Sequence, residues 1–162
     1  MKLESMELFT AVYSAMLQKI SATLEDRDDL CPRDIDNALN YAMKHIYIIP
    51  ECLGFDPEDY SITLIHHNDG SYQFDVDFDK EAVAAIKVTD ENYRKIIARS
   101  YMLVAKDNEL SELLGLDKYI SIIEEAHHLV FEGLVRMEGV DTSSAKEMLD
   151  EIEELLVPLM EN

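Results

Sequence analysis

In the stretch Phe74-Asp75-Val76-Asp77-Phe78-Asp79, three carboxylates recur at every second residue. On a strand that spacing sets them on one face, about 6.6 Å apart. A row of like charges repels itself unless solvent or a cationic partner relieves it. Phosphates on a nucleic-acid strand form a comparable array, about one charge per 3.4 Å of axis. The chemistry on offer is therefore recognition: a ribbon carrying Asp75, Asp77 and Asp79 competes for a phosphate-binding groove on a basic protein. Glu58, Asp59 and Glu81 belong to the same field, because the interval from Glu51 to Glu81 holds nine acids and a single cation, Lys80. Acids on the exposed side of an edge strand also block edge-to-edge pairing, an explanation that needs no partner. The same carboxylates offer ligands to Ca²⁺ or Mg²⁺, but no EF-hand-like loop with its Gly and terminal Glu is present.

Glu124-Glu125-Ala126-His127-His128 contains Glu-x-x-His twice in overlap. Residues three apart on a helix can converge on one metal, and di-iron bundles use this spacing on two different helices together with two further Glu. No second helix here carries such a motif. Glu124 and His127 are thus weak metal candidates, and no metal or other cofactor is expected. His127 shares a face with Ile120, Ile123, Val130 and Leu134 and suits a hydrogen-bonded core position, while Glu124 and His128 form a surface pair four residues apart. A third cluster, His66 and His67 beside Asp69, reads as polar residues flanking a turn, with a pH-sensitive contact as the alternative because His titrates near neutrality. Cations gather on one segment only, as Lys87, Arg94, Lys95, Arg99 and Lys106, where Asp90 to Arg94 and Glu91 to Lys95 make helical pairs.

Catalytic signatures are missing. There is no Gly-x-Ser-x-Gly elbow, no His-Glu-x-x-His and no phosphate-binding glycine loop, and the five glycines are scattered. Cys31 and Cys52 sit in no metal or redox spacing and read as reduced thiols of a cytoplasmic protein. The first 20 residues lack signal-peptide features, and no apolar run reaches the ~18–20 residues of a membrane span. With 34 acids against 14 Lys and Arg, the formal charge is −20. That makes direct binding of nucleic acid or an anionic membrane unfavourable, since both ligands need cationic side chains.

These residues must be held by a fold of ordinary globular composition, 48% apolar, with a length that suits one domain over 1–162. Apolar spacing predicts a helix from Leu3 to Leu24, ended by Glu25-Asp26-Arg27-Asp28-Asp29. A second starts with Pro32 in its first turn and turns Ile35, Ala38, Leu39, Ala42, Met43 and Ile46 inward. Pro50 and Pro57 bracket an irregular connection. Residues 60–78 read as a β-hairpin: the loop Asn68-Asp69-Gly70 pairs His67 with Ser71, sets Leu64 against Phe74, Ile62 against Val76 and Tyr60 against Phe78, and puts His66 opposite Tyr72. A two-residue loop would set Leu64 and Ile62 opposite carboxylates, so the pattern selects the register. The segment after it is either a helix over Lys80–Val88 or a third short strand through Ala82–Val88. Thr89 caps a helix running to Lys106, Glu109–Leu114 ends at Gly115, and a long central helix spans about Asp117 to Glu138, apolar on much of its circumference through Ile120, Ile123, Ala126, Val130, Phe131, Leu134 and Val135. The last helix opens on a capping box at Ser144-Ala-Lys-Glu147. Its inward stripe is Met148, Leu149, Ile152, Leu155, Leu156 and Leu159, and Glu153 is among its outward acids.

The expected class is α+β and mostly helical, about five to six helices with one hairpin. The expected function is that of a non-enzymatic acidic binding protein. It would act as an inhibitor or regulator that docks a basic, DNA- or RNA-handling protein by imitating nucleic-acid charge. One alternative is an assembly adaptor or homo-oligomer using apolar helix faces, which eight methionines and the stripe to Leu159 and Met160 would suit. Another is a metal-dependent enzyme built on Glu124 and His127.

Overall fold

The computed structural model describes residues 1–160; the side chains of Asn108, Val157, Leu159 and Met160 lie outside the described set, and with them the expectation about Leu159 and Met160. Helix α1 runs Leu3–Glu25 and α2 runs Pro32–Leu53, with Pro32 in its first turn. A 3₁₀ turn at Pro57–Asp59 leads into β1 (Tyr60–His66), which pairs antiparallel with β2 (Tyr72–Phe78). Then follow α3 (Lys80–Ala85), α4 (Asp90–Lys106), α5 (Asn108–Leu114), α6 (Leu116–Glu138) and α7 (Ser143–Met160). Helix accounts for 74% of the chain, so the class is α+β and mostly helical. The described residues form seven α-helices because the undecided segment after the hairpin is helical, started by Asp79, whose side chain accepts from the Glu81 N–H at 3.1 Å.

The hairpin register is the one the alternation demands: Tyr60 faces Phe78, Ile62 faces Val76, Leu64 faces Phe74 and His66 faces Tyr72. His67 N–H donates to the Ser71 carbonyl at 2.8 Å, and Gly70 takes the left-handed conformation (φ 91°) that closes a three-residue loop. Its apolar side lies on α1 and α2, where the Tyr47 hydroxyl of α2 donates to the Ile62 carbonyl at 3.1 Å.

Helices α1 and α6 run antiparallel and form the most extensive helix pair. Ser5 at the start of α1 meets Glu138 at the end of α6, and Lys19, toward the end of α1, meets Glu125 in the middle of α6. One core cluster extends from Met6 on α1 to Leu149 on α7. Two expectations are corrected here. Helix α2 continues through Pro50 to Leu53, because Pro50 stands near its end, where the Gly54 and Phe55 N–H groups both donate to its carbonyl and Ile48, Ile49 and Leu53 are buried. Of the apolar residues around α6, Val135 is 47% exposed, and Gly133 completes the buried arc, since a Cβ there would stand 2.0 Å from Leu8 Cδ2 of α1. Leu155 is 75% exposed, one step past the arc Ala145, Leu149, Ile152, Leu156. Among the described residues, no helix is long and apolar enough to cross a membrane.

Candidate functional site

Burial of Phe74, Val76 and Phe78 against the helices turns the intervening Asp75 and Asp77 to solvent, beside Ser61 and Thr63 of β1. Pairing of Tyr60 with Phe78 gathers the remaining predicted acids at the same end of the ribbon. The Asp79 N–H donates to the Asp59 carbonyl at 2.8 Å, Glu58 and Asp59 form the 3₁₀ turn, and Glu81 lies in the first turn of α3. Asp79 has a structural duty as well, the α3 cap. Asp75 accepts from the Gln73 side chain at 2.8 Å. The ion pairs among the described residues are Lys19–Glu125, Arg27–Asp29, His66–Asp36, Lys95–Glu91, Arg99–Glu51 and His128–Glu153. None involves Glu58, Asp59, Asp75, Asp77, Asp79 or Glu81: Asp59 is half-buried, the other five are exposed, and none of the six is in an ion pair among the described residues.

At the hairpin tip His66 stacks on Tyr72, ring centroids 4.4 Å apart. Both reach Asp36 of α2: the Tyr72 hydroxyl donates to Oδ1 at 2.6 Å and His66 Nδ1 lies 2.9 Å from the same oxygen. The His66 position opposite Tyr72 follows from the register. Its acidic partner comes from another element, which periodicity could not supply.

The Glu-x-x-His pair is divided. His127 points into the core, 1% exposed, with Nδ1 3.3 Å from the Tyr13 hydroxyl. Burial, reinforced by the neighbouring His128, lowers its pKa to about 3, so the ring is neutral at pH 7. Glu124 instead joins His128 on α6 and Glu153 on α7, with one donor atom from each lying within 4.8 Å of the others. His128 Nε2 is 3.5 Å from Glu153 Oε1. Desolvation first, then a hydrogen bond and repulsion from Glu153, raise the Glu124 pKa to about 7 against the opposing pull of His128. Glu153 was expected to face outward; its side chain is 26% exposed. The signal was available, because 153 follows Leu149 by four residues and Ala145 by eight.

A second polar assembly went unread in the sequence. His45 of α2 is 1% exposed, with Nδ1 2.9 Å from the Ser100 hydroxyl and Nε2 2.6 Å from the Tyr119 hydroxyl. Tyr119 in turn donates to Asp107 at 3.3 Å, and a second oxygen of Asp107 accepts from the Leu110 N–H. A consistent proton assignment has His45 Nε2–H donating to Tyr119 and Ser100 donating to Nδ1. Ser100 and Asp107 are each 2% exposed, which makes this chain an internal strut between α2, α4, α5 and α6 and closes it to substrate. His45 sits seven residues after Ala38 on the inward face, the available hint.

Two of the five cations of that segment are in ion pairs: Arg99 binds Glu51 at 2.6 Å and Lys95 lies 3.7 Å from Glu91. Asp90, paired with Arg94 by spacing alone, has its carboxylate on the Ala145 N–H of α7 at 3.1 Å. Compared with family models, curated proteins and solved structures, the chain matches none of them.

Proposed function

We propose that this is a non-enzymatic binding protein whose acidic hairpin face docks a basic protein surface of the kind that nucleic-acid-handling proteins present, as an inhibitor or regulator. The observation that supports the reading is that Asp75 and Asp77, turned outward by an apolar ribbon side packed on α1 and α2, and Glu58, Asp59, Asp79 and Glu81 at one end of the ribbon form no ion pair with a described cation. A concentrated field of one sign on a rigid two-stranded support accelerates association with an opposite field and makes it steeply salt-dependent. The tagged full chain, incubated with native cell lysate and washed at low and high salt, is expected to retain a basic protein that high salt removes. The Asp75→Asn/Asp77→Asn/Asp79→Asn variant keeps the α3 cap, since Asn caps as well as Asp. It should bind the captured partner with an association rate lower by about tenfold or more. Unchanged affinity and salt slope in that variant would refute the reading.

A second reading, self-association through apolar helix faces, is favoured by Leu155, Met102 and Leu129, which are 75%, 53% and 48% exposed. Sedimentation at high salt separates the two, because apolar assembly survives the screening that dissolves a charge-driven complex.

A further inference from the structure

We propose that Glu124, His128 and Glu153 form a binding site for a divalent first-row transition-metal ion of the zinc class, fastening α7 to α6. This site lies apart from the acidic hairpin and stands independently of the function proposed for it. Glu124 and His128, four residues apart, project from one face of α6, and Glu153 arrives from α7. Ligand atoms about 2.0–2.2 Å from a tetrahedral ion lie roughly 3.3–3.6 Å from one another. The 3.5 Å between His128 Nε2 and Glu153 Oε1 is already such an edge. The longest separation in the group, at most 4.8 Å, closes by about 1 Å through side-chain rotation. One imidazole with two carboxylates is a mixed nitrogen–oxygen set, which suits Zn²⁺, Mn²⁺ or Fe²⁺ better than Mg²⁺ or Ca²⁺, whose ligands are oxygens.

The surroundings independently point the same way. Among the described residues, the buried side-chain polar atoms without a hydrogen-bond partner are the Tyr101 hydroxyl, His127 Nε2 and Glu153 Oε1. Glu153 Oε1 belongs to the site. Tyr101 of α4 is only 6% exposed, and its hydroxyl is close enough to Glu124 and Glu153 that their charges, after burial itself, raise its pKa. The Tyr101 ring also packs 5.8 Å from that of His127. Buried polar groups go unpartnered rarely, and one on a carboxylate of the site together with the Tyr101 hydroxyl beside it mark a place built for a further polar species. A shared proton neutralises one carboxylate only; a divalent cation neutralises both, and the Tyr101 hydroxyl is then available to a water in the ion's remaining coordination position.

The test is calorimetric titration of ZnCl₂ into the chelator-treated full chain and three variants, with folding checked by circular dichroism. The native chain is expected to bind one Zn²⁺ per molecule, to melt at a higher temperature with it, and to keep it in excess Mg²⁺. Glu153→Gln and His128→Gln, on different helices, should each weaken binding by more than about 100-fold, beyond what loss of an outer partner of a ligand causes. Glu153→Gln also relieves the repulsion with Glu124 and so keeps the fold. Glu132→Gln, an exposed acid of α6 outside the cluster, makes the same charge change and should leave affinity unaltered. Absence of a one-to-one site in the native chain, or equal Zn²⁺ affinity in all four proteins, would overturn the proposal.

Discussion

At the scale of single residues, three titrating side chains oppose one another. His45 and His127 are held down to about 3, in both cases first by burial and then by a neighbouring histidine. Unfolded, they take up a proton near 6.5. The unfolded chain therefore binds more protons between these values, so their contribution to stability is complete above about 6.5 and is lost as pH falls toward 3. Glu124 has the other sign. Raised from 4.5 to about 7 by desolvation and Glu153, it keeps its proton longer in the folded chain. Its contribution is present below 4.5 and lost as pH rises through about 7. Metal-free Glu124→Gln should therefore melt at a higher temperature than the native chain above pH 7, with little difference below pH 4.5; thermal melts across that range read both. Tyr119→Phe removes the link between His45 and Asp107 and strands buried polar atoms. It should cost roughly 1–3 kcal/mol in urea unfolding. The His45 environment is not encoded in neighbours along the chain: Ser100 and Tyr119 lie 55 and 74 residues from the His45 they touch.

At the scale of elements, local signals succeeded wherever a boundary depends on adjacent residues. Thr89 starts α4 with a reciprocal cap to Asn92, and Lys106 ends it as expected. The hairpin register followed from loop length and alternation together. Gly70 supplies a positive φ with open space around it, so Gly70→Ala meets no clash and should cost about 1–2 kcal/mol through backbone conformation alone. A circular-dichroism melt of that variant checks the loop. The start of α7 behaved differently. The predicted box at Ser144 and Glu147 is not how the helix begins; it opens at Ser143, with Asp141 accepting from the Ser143 N–H and Asp90 of α4 accepting from Ala145. Asp90→Ala should destabilise by about 0.5–2 kcal/mol, as loss of a helix cap does, and hydrogen exchange should report earlier opening of α7 than of α6.

At the scale of the whole molecule, the −20 charge acts on everything at once. Self-repulsion weakens a folded chain, and screening to about 8 Å at 0.15 M ionic strength relieves it, so the melting temperature should rise as salt is added from low ionic strength. Scanning calorimetry over a salt series measures this, and a flat response would mean that the acids are already compensated. The sequence by itself determined the class, most helix boundaries, the hairpin with its register and the outward row of Asp75 and Asp77, because each depends on spacing within one element or across one short turn. Only the tertiary structure decided that Pro50 stays within α2, that Gly133 admits Leu8, and that Glu153 turns inward to meet Glu124 and His128. Those outcomes depend on which helices pack together, and residues remote in the chain acquire a common environment only when the core brings their helices into contact.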